Sequence, residues 1–274
     1  MNRRTAIVFL SLVLALLPAA CRRSADSSPP AVAASNSLLA CAARDLLGQS
    51  TPVLALAEPG MCPGHFDMRP SQIDALRRCR LLLRMDFQES LDAKLSAAID
   101  RGLLVAQIRI AGGLCEPESY LTACQQTADA LVAAGLLDRT TAEDRLGEIA
   151  AHIGRLASRC RQRAAAWKDK PVLASAHQEA FCRWLGLNVV ATFGAADTAG
   201  ARQINQAIRL SSEAGVGLVV ANLPEGRRVA DALAERLGAK VVVFDNFPAL
   251  NSGQSSFDDL LEANIHALAE ATGA

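Results

Sequence analysis

Two kinds of apolar pattern alternate along this chain. Short solid runs include Pro52–Ala57, Leu81–Leu83 and Leu103–Ala106. Each is stopped by a charged or polar residue, which is how strands buried on both faces read. Longer stretches repeat their apolar residues every three or four positions, as Leu38, Leu39, Ala42, Ala43 and Leu46 do before Gly48. In the first half the spacing predicts strands over 51–57, 80–84 and 103–110, and helices over 36–47, 71–78, 90–101 and 117–136. The second half repeats the alternation, with strands over 171–175, 187–191, 217–221 and 240–244 and helices over 177–184, 199–214, 226–237 and 256–271.

Between the halves lies a different stretch. From Thr141 to Lys168, Leu146, Ile149, Ile153, Leu156 and Cys160 recur at steps of three and four, with no Gly or Pro after Gly154 until Pro171. The predicted helix has about 25 residues, roughly twice the usual length. The fold expected is therefore α/β, with two lobes of helix-covered parallel sheet bridged by one long rigid helix and a cleft between them. Sites in open sheets of this kind sit at the carboxyl ends of the strands. The division expected is 36–138 for the first lobe, 139–168 for the linking helix and 169–274 for the second lobe.

The start of the chain has its own logic. Arg3 and Arg4 precede the apolar run Ala6–Leu17, followed by Ala19, Ala20 and Cys21. A basic start and an apolar run of about a dozen residues have the proportions of a secretory leader, over 1–20. The run is shorter than the ~20 apolar residues that span a bilayer. Cys21 after small residues resembles the lipobox of bacterial lipoproteins, with Pro18 where that motif usually has Leu. The resemblance implies acylation at Cys21 and attachment to a membrane, at the cell surface or in the periplasm. Residues 21–35, small, polar and containing Pro29 and Pro30, read as a flexible tether.

Composition narrows the classes further. Lys and Arg number 28, and Asp and Glu also number 28. With no basic stripe and only one Tyr, two Trp and eight Phe, nucleic acid is excluded as a partner. Setting Cys21 aside leaves Cys41, Cys62, Cys79, Cys115, Cys124, Cys160 and Cys182, an odd set with no CxxC spacing. That argues against a thiol-redox motif or a zinc ribbon and leaves at least one thiol unpaired or pairing between molecules. The chain has no HExxH, no Gly-x-Ser-x-Gly and no Walker loop, so no common catalytic signature is present.

Three segments carry a more specific likeness. They are 58–72, containing Pro59-Gly60, Cys62, Pro63-Gly64-His65 and Pro70-Ser71; 171–181, a strand followed by His177-Gln178-Glu179-Ala180-Phe181; and Val243-Phe244-Asp245, closing the last strand. Over 36–274 the chain resembles the zinc/manganese-type metal-binding solute-binding proteins of ABC importers. The resemblance implies a monomer that is not an enzyme, carries a divalent transition metal between its lobes and docks on an ABC permease. Zinc is the expected cargo, with manganese the second choice.

Carried over residue by residue, the resemblance implies His65, His177 and Asp245 as ligands. Each also has an ordinary structural role open to it: a solvated loop histidine, a helix cap, and a carboxylate paired with an Arg or a helix start. Phe181 follows His177 by four residues where the family has three, so Gln178 or Glu179 can take the ligand position instead. The family's histidine after the third strand has no counterpart in Ala111-Gly112-Gly113-Leu114-Cys115-Glu116-Pro117. A Cys115 thiolate, Glu116, Glu118 or a water can fill that place, and Cys115 can instead form a disulfide with Cys62. His152 and His266 read as helix-surface residues. An exported zinc-dependent hydrolase and a binder of a metal chelate are the alternative functions.

Overall fold

A computed structural model describes residues 30–57, 68–99, 101–195, 200–250 and 255–273. The leader, Cys21, and Cys62 and His65 lie outside the described residues. Among the described residues no helix is long and apolar enough to cross a membrane.

The first half runs β1 (Val32–Ala34), α1 (Ser37–Leu47), β2 (Val53–Ala55), α2 (Pro70–Leu76), β3 (Leu81–Met85), α3 (Ser90–Ile99), β4 (Leu104–Ile108) and α4 (Pro117–Ala133). Helix α5 (Arg139–Ala164) leads to β5 (Pro171–Ser175), α6 (Glu179–Trp184), β6 (Asn188–Phe193), α7 (Ala201–Glu213), β7 (Leu218–Asn222), α8 (Arg228–Leu237), β8 (Lys240–Phe244) and α9 (Phe257–Thr272). The strands form two four-stranded sheets ordered β2-β1-β3-β4 and β6-β5-β7-β8. All pairings are parallel. Both halves thus share one topology, in which the chain steps from the first strand to one side and then crosses to the other. That crossing point, between β1 and β3 and between β5 and β7, is where open sheets leave a crevice for ligands.

One expectation from sequence is corrected. Val32–Ala34 fall inside the expected tether, yet they form the buried strand between β2 and β3. Flanked on both sides and packed under α1, this strand needs small side chains, so Ala33 and Ala34 leave no apolar signature beyond that of a linker.

Helix α1 explains why small residues suit that position. Asn36 caps it, its Oδ1 accepting the Leu39 N–H at 3.0 Å. Ser37 through Ala43 are all buried, as in a helix packed on every side. Helix α5 has 26 residues, a length of roughly 39 Å. Its buried stripe of Ile149, Ile153, Leu156, Cys160 and Ala164 joins a single apolar core that also contains Leu39 and Leu83 from the first lobe and Phe181 and Phe244 from the second. The far face of each sheet has its own smaller cluster, around Leu82 and Leu95 in the first lobe and Val219 and Leu233 in the second. The lobes are therefore fused through a shared interior.

Polar pins set the register of this interior. Tyr120 of α4 stacks flat on Phe257 of α9 at 4.1 Å between centroids. Its hydroxyl donates to Asp45 at 2.6 Å. Burial holds the Asp45 carboxyl above its usual range despite that hydrogen bond. His152 pairs with Asp258 at the start of α9 at 2.7 Å, and His266 with Glu270 at 3.2 Å. Both histidines thus serve surface pairings. Glu118 of α4 accepts from Arg161 of α5 at 3.0 Å and from the Trp184 indole of α6 at 3.1 Å, tying both lobes to the linking helix.

Candidate metal centre at the carboxyl ends of the strands

Near the second lobe's crossing point the strands end in polar residues or lead straight into them. Strand β5 ends at Ser175, β7 at Asn222, and β8 is followed by Asp245 and Asn246. Apolar runs carry these groups to the sheet edge and stop there, because a polar side chain inside the sheet would lack partners.

His177 lies in the turn after β5. Its Nδ1 bonds Glu225 Oε1 at 2.8 Å, while Ser175 Oγ donates to Glu225 Oε2 at 2.6 Å. A carboxylate on Nδ1 with Nε2 left open is the arrangement of many metal-ligating imidazoles. The His177 side chain is nevertheless 67% exposed. The hydrogen bond to Glu225 raises the His177 pKa, with burial opposing it. Burial alone would raise Glu225, but the hydrogen bonds from His177 and Ser175 outweigh it and hold the carboxyl low.

The signs define a pH window. The histidine's contribution is complete below its unfolded value of about 6.5 and is lost as pH rises through the raised folded value. The Glu225 contribution is present above its ordinary 4.5 and lost as pH falls through the lowered folded value. His177→Ala should therefore lower the melting temperature more at pH 5.5 than at pH 8.5. The largest loss should be about 1 kcal/mol, because the imidazole is mostly solvated. Equal losses at the two pH values in thermal denaturation would count against the pairing.

Gln178, the next residue, turns inward and is fully buried. Its Nε2 donates to Asn222 Oδ1 and to Asn246 Oδ1, both at 3.0 Å. Its Oε1 is buried and has no hydrogen-bond partner among the described residues. Leaving such an acceptor unmet costs about 1–3 kcal/mol. Asp245 accepts the N–H groups of Asn246 at 2.8 Å and Phe247 at 3.1 Å. Burial pushes its carboxyl above the usual range, with those two N–H groups offsetting part of the rise.

The first lobe approaches this edge through the loop between β4 and α4. Cys115 is a free, fully buried thiol that donates to the Asp245 carbonyl at 2.8 Å and to Asn246 Oδ1 at 3.2 Å. Asn264 of α9 donates to its sulfur at 3.6 Å. Burial and the Asp245 charge push this thiol well above its ordinary pKa. The sulfur thus acts as a hydrogen-bond latch between lobes. Glu116 folds back to accept the Gly113 N–H at 2.7 Å, and Glu118 is engaged by Arg161 and Trp184. Glu179 pairs with Arg183 at 2.9 Å.

Glycine is required where the lobes meet. A Cβ on Gly113 would lie 2.9 Å from the Ala180 methyl, whose helix cannot retreat from the core. Gly113→Ala should cost about 1–3 kcal/mol as the lobes are forced apart. Its melting temperature should fall by about 2–4 °C per kcal/mol, and an unchanged value would contradict this packing.

The structure thus brings Asp245, Cys115 and Gln178 together at one edge, and sets His177 on its solvent side, bonded to Glu225. Among the described residues, no three His, Cys, Asp or Glu side chains gather to hold a metal ion. The Gln178–Asn222–Asn246 network was missed from sequence. Its signal was available: Asn222 closes one apolar strand, and Asn246 comes two residues after another.

Twin parallel sheets joined by one long helix, with polar groups converging on the strand ends, define a two-lobed solute-binding protein. The family model for the periplasmic zinc-uptake complex component A, ZnuA, matches residues 114–271, more than half of the chain. The chain belongs to this family of metal-binding proteins of ABC importers. Among solved structures it is similar to ZnuA at 17% identity, covering 88% of this chain and 98% of that one with a TM-score of 0.71. A ZnuA deletion mutant with zinc bound matches at 17% identity, 89% and 98% coverage and a TM-score of 0.69. The Mn-bound periplasmic metal binding protein from Candidatus Liberibacter asiaticus matches at 12% identity, 87% and 98% coverage and a TM-score of 0.71. At these identities the likeness is one of fold. No curated protein sequence matches the chain.

Proposed function

We infer that this protein captures a divalent transition metal between its lobes and delivers it to an ABC permease. The observation that carries the reading is the half-buried Asp245 carboxylate at the meeting of the lobes, in a chain of the ZnuA family. A half-buried carboxylate that among the described residues accepts from two backbone N–H groups is an arrangement a cation would complete. Asp245 supplies one ligand and His65, which follows β2 in the sequence, another. His177 and Gln178 compete for the place beside Asp245. Cys21 tethers the exported protein near its permease through a lipid, and it acts as a monomer.

Zinc accepts imidazole and carboxylate ligands and is the first choice, with manganese the second. The test is calorimetry on the metal-free full chain with Zn²⁺ and Mn²⁺ in turn. One tight ion per chain, weakened at least about tenfold by His65→Ala, is the expected result. Absence of binding by either ion ends the reading.

A further inference from the structure

Each sheet has two outer strands, and an outer strand offers a row of backbone N–H and C=O groups to any extended chain. Three of these edges are guarded. Strand β2 has only three residues, and β8 opens on the exposed Lys240. Strand β4 leads into Arg109, whose N–H and carbonyl are both taken by the Gln126 amide, at 2.9 and 2.8 Å. Strand β6 is different. It runs for six residues, Asn188–Phe193, with no charged residue and no Pro anywhere in 187–195. Its one strand neighbour is β5.

Beside this edge the covering helix stands off. A groove of about 430 Å³ runs between β6 and α7, with residues 190–194 as its strand side. The helix side brings Ile204, Ala207 and Leu210, which are buried or half-buried, and the exposed amides Gln203 and Gln206. Among the described residues that line the groove none is charged. The register of the sheet accounts for the gap. Pairing with β5 passes from Val172–Val189 to Leu173–Ala191, so Val190 is an extra residue with no partner opposite it. Such a bulge bends its strand and increases the local twist, which parts the second half of β6 from α7.

We propose that this groove binds an extended, uncharged peptide segment of another protein, which joins the sheet beside β6. Main-chain hydrogen bonds to the outer side of β6 hold the segment, and alternate side chains enter the groove. Residues 191–194, beyond the bulge, match a partner segment of about four residues at roughly 3.3 Å each. A side chain entering the groove meets Ile204, Ala207 and Leu210, with the two glutamine amides at the rim. A charged side chain there would lose water and find no ion partner, so the lining selects neutral residues. This inference is independent of the reading of the cargo.

The probe is a blocked pentapeptide of alternating valine and threonine, followed by amide NMR of the isotope-labelled full chain. At about 5 mM, enough to load a site with a millimolar Kd, it should shift the amides of 191–194 and 203–210. The same peptide with every amide N-methylated cannot pair as a strand and should bind at least about tenfold more weakly. Gln206→Trp, which fills the groove from an exposed position, should weaken the unmodified peptide by at least about tenfold. Should that variant fail to fold, Gln206→Lys, which brings a charge to the rim, carries the same expectation. No shift along β6, or equal binding of the N-methylated peptide, overturns the proposal. A concentration-dependent dimer in sedimentation that Gln206→Trp abolishes also overturns it, by giving the groove to a second copy of the chain.

Discussion

Asp245→Asn should lower the affinity for a divalent ion by roughly 100-fold, about 2.7 kcal/mol, while leaving the protein folded. Asparagine keeps an oxygen to accept the Asn246 and Phe247 N–H groups, so the turn after β8 retains its geometry. What it loses is the charge. The same change should leave the metal-free protein equally stable or raise its melting temperature. Burial holds the Asp245 carboxyl above its ordinary pKa, so ionising it in the fold is unfavourable. Stability contributed by such a group falls as pH rises through the interval between the unfolded and folded values, and a neutral amide removes that loss. Weaker binding with unchanged or higher stability separates a ligand from a structural carboxylate. Calorimetry and thermal denaturation of the same variant measure both, and a drop in melting temperature without a loss of affinity would contradict the assignment.

Phe181→Ala should be the most destabilising single change near the site, at about 3–5 kcal/mol. Phe181 is 1% exposed, 5.5 Å from Phe244 in an edge-on contact and 5.8 Å from Trp184 in a stacked one. It belongs to the core that both lobes share, so a cavity there loosens α6 against β8 together. At about 2–4 °C per kcal/mol, the melting temperature should fall by roughly 10 °C. Affinity should fall as well, because Gln178 and Asp245 ride on the two elements that Phe181 holds together. A loss below about 1 kcal/mol in denaturant unfolding would show that the two elements are held by other contacts.

Why some of this was legible in sequence and some was not follows from burial. Strands β5 and β8 match their predicted bounds because each is a solid apolar run with a charged or polar residue at its end. The linking helix was visible in the spacing of Ile149, Ile153, Leu156 and Cys160, all buried on one face. Strand β1 was not, because Val32–Ala34 are too few and too small to differ from a linker, and their burial comes from neighbours distant in sequence. At the site, Asp245 was readable as a carboxylate ending a buried strand. The choice between His177 and Gln178 was not, since adjacent residues in a tight turn face opposite ways and only the partners Glu225 and Asn222 reveal which way each goes. Cys115 was readable only as a candidate: its burial against the Asp245 carbonyl comes from residues far away in sequence.

The single core running from Leu39 through Leu156 to Phe244 has a kinetic consequence. Parting the lobes would wet that interior, and exposing even about 500 Å² of apolar surface costs roughly 12 kcal/mol, as much as the whole stability of a typical domain. Wholesale opening is thus too rare to govern exchange of the cargo. On the proposed reading, loading and loss of the ion are set by local motion of the loops at the strand ends, on the time scale of loops rather than of domains. The overall dimensions of the protein should then be the same with and without its cargo. A measurable contraction in small-angle scattering on adding Zn²⁺ or Mn²⁺ would show that the lobes do move.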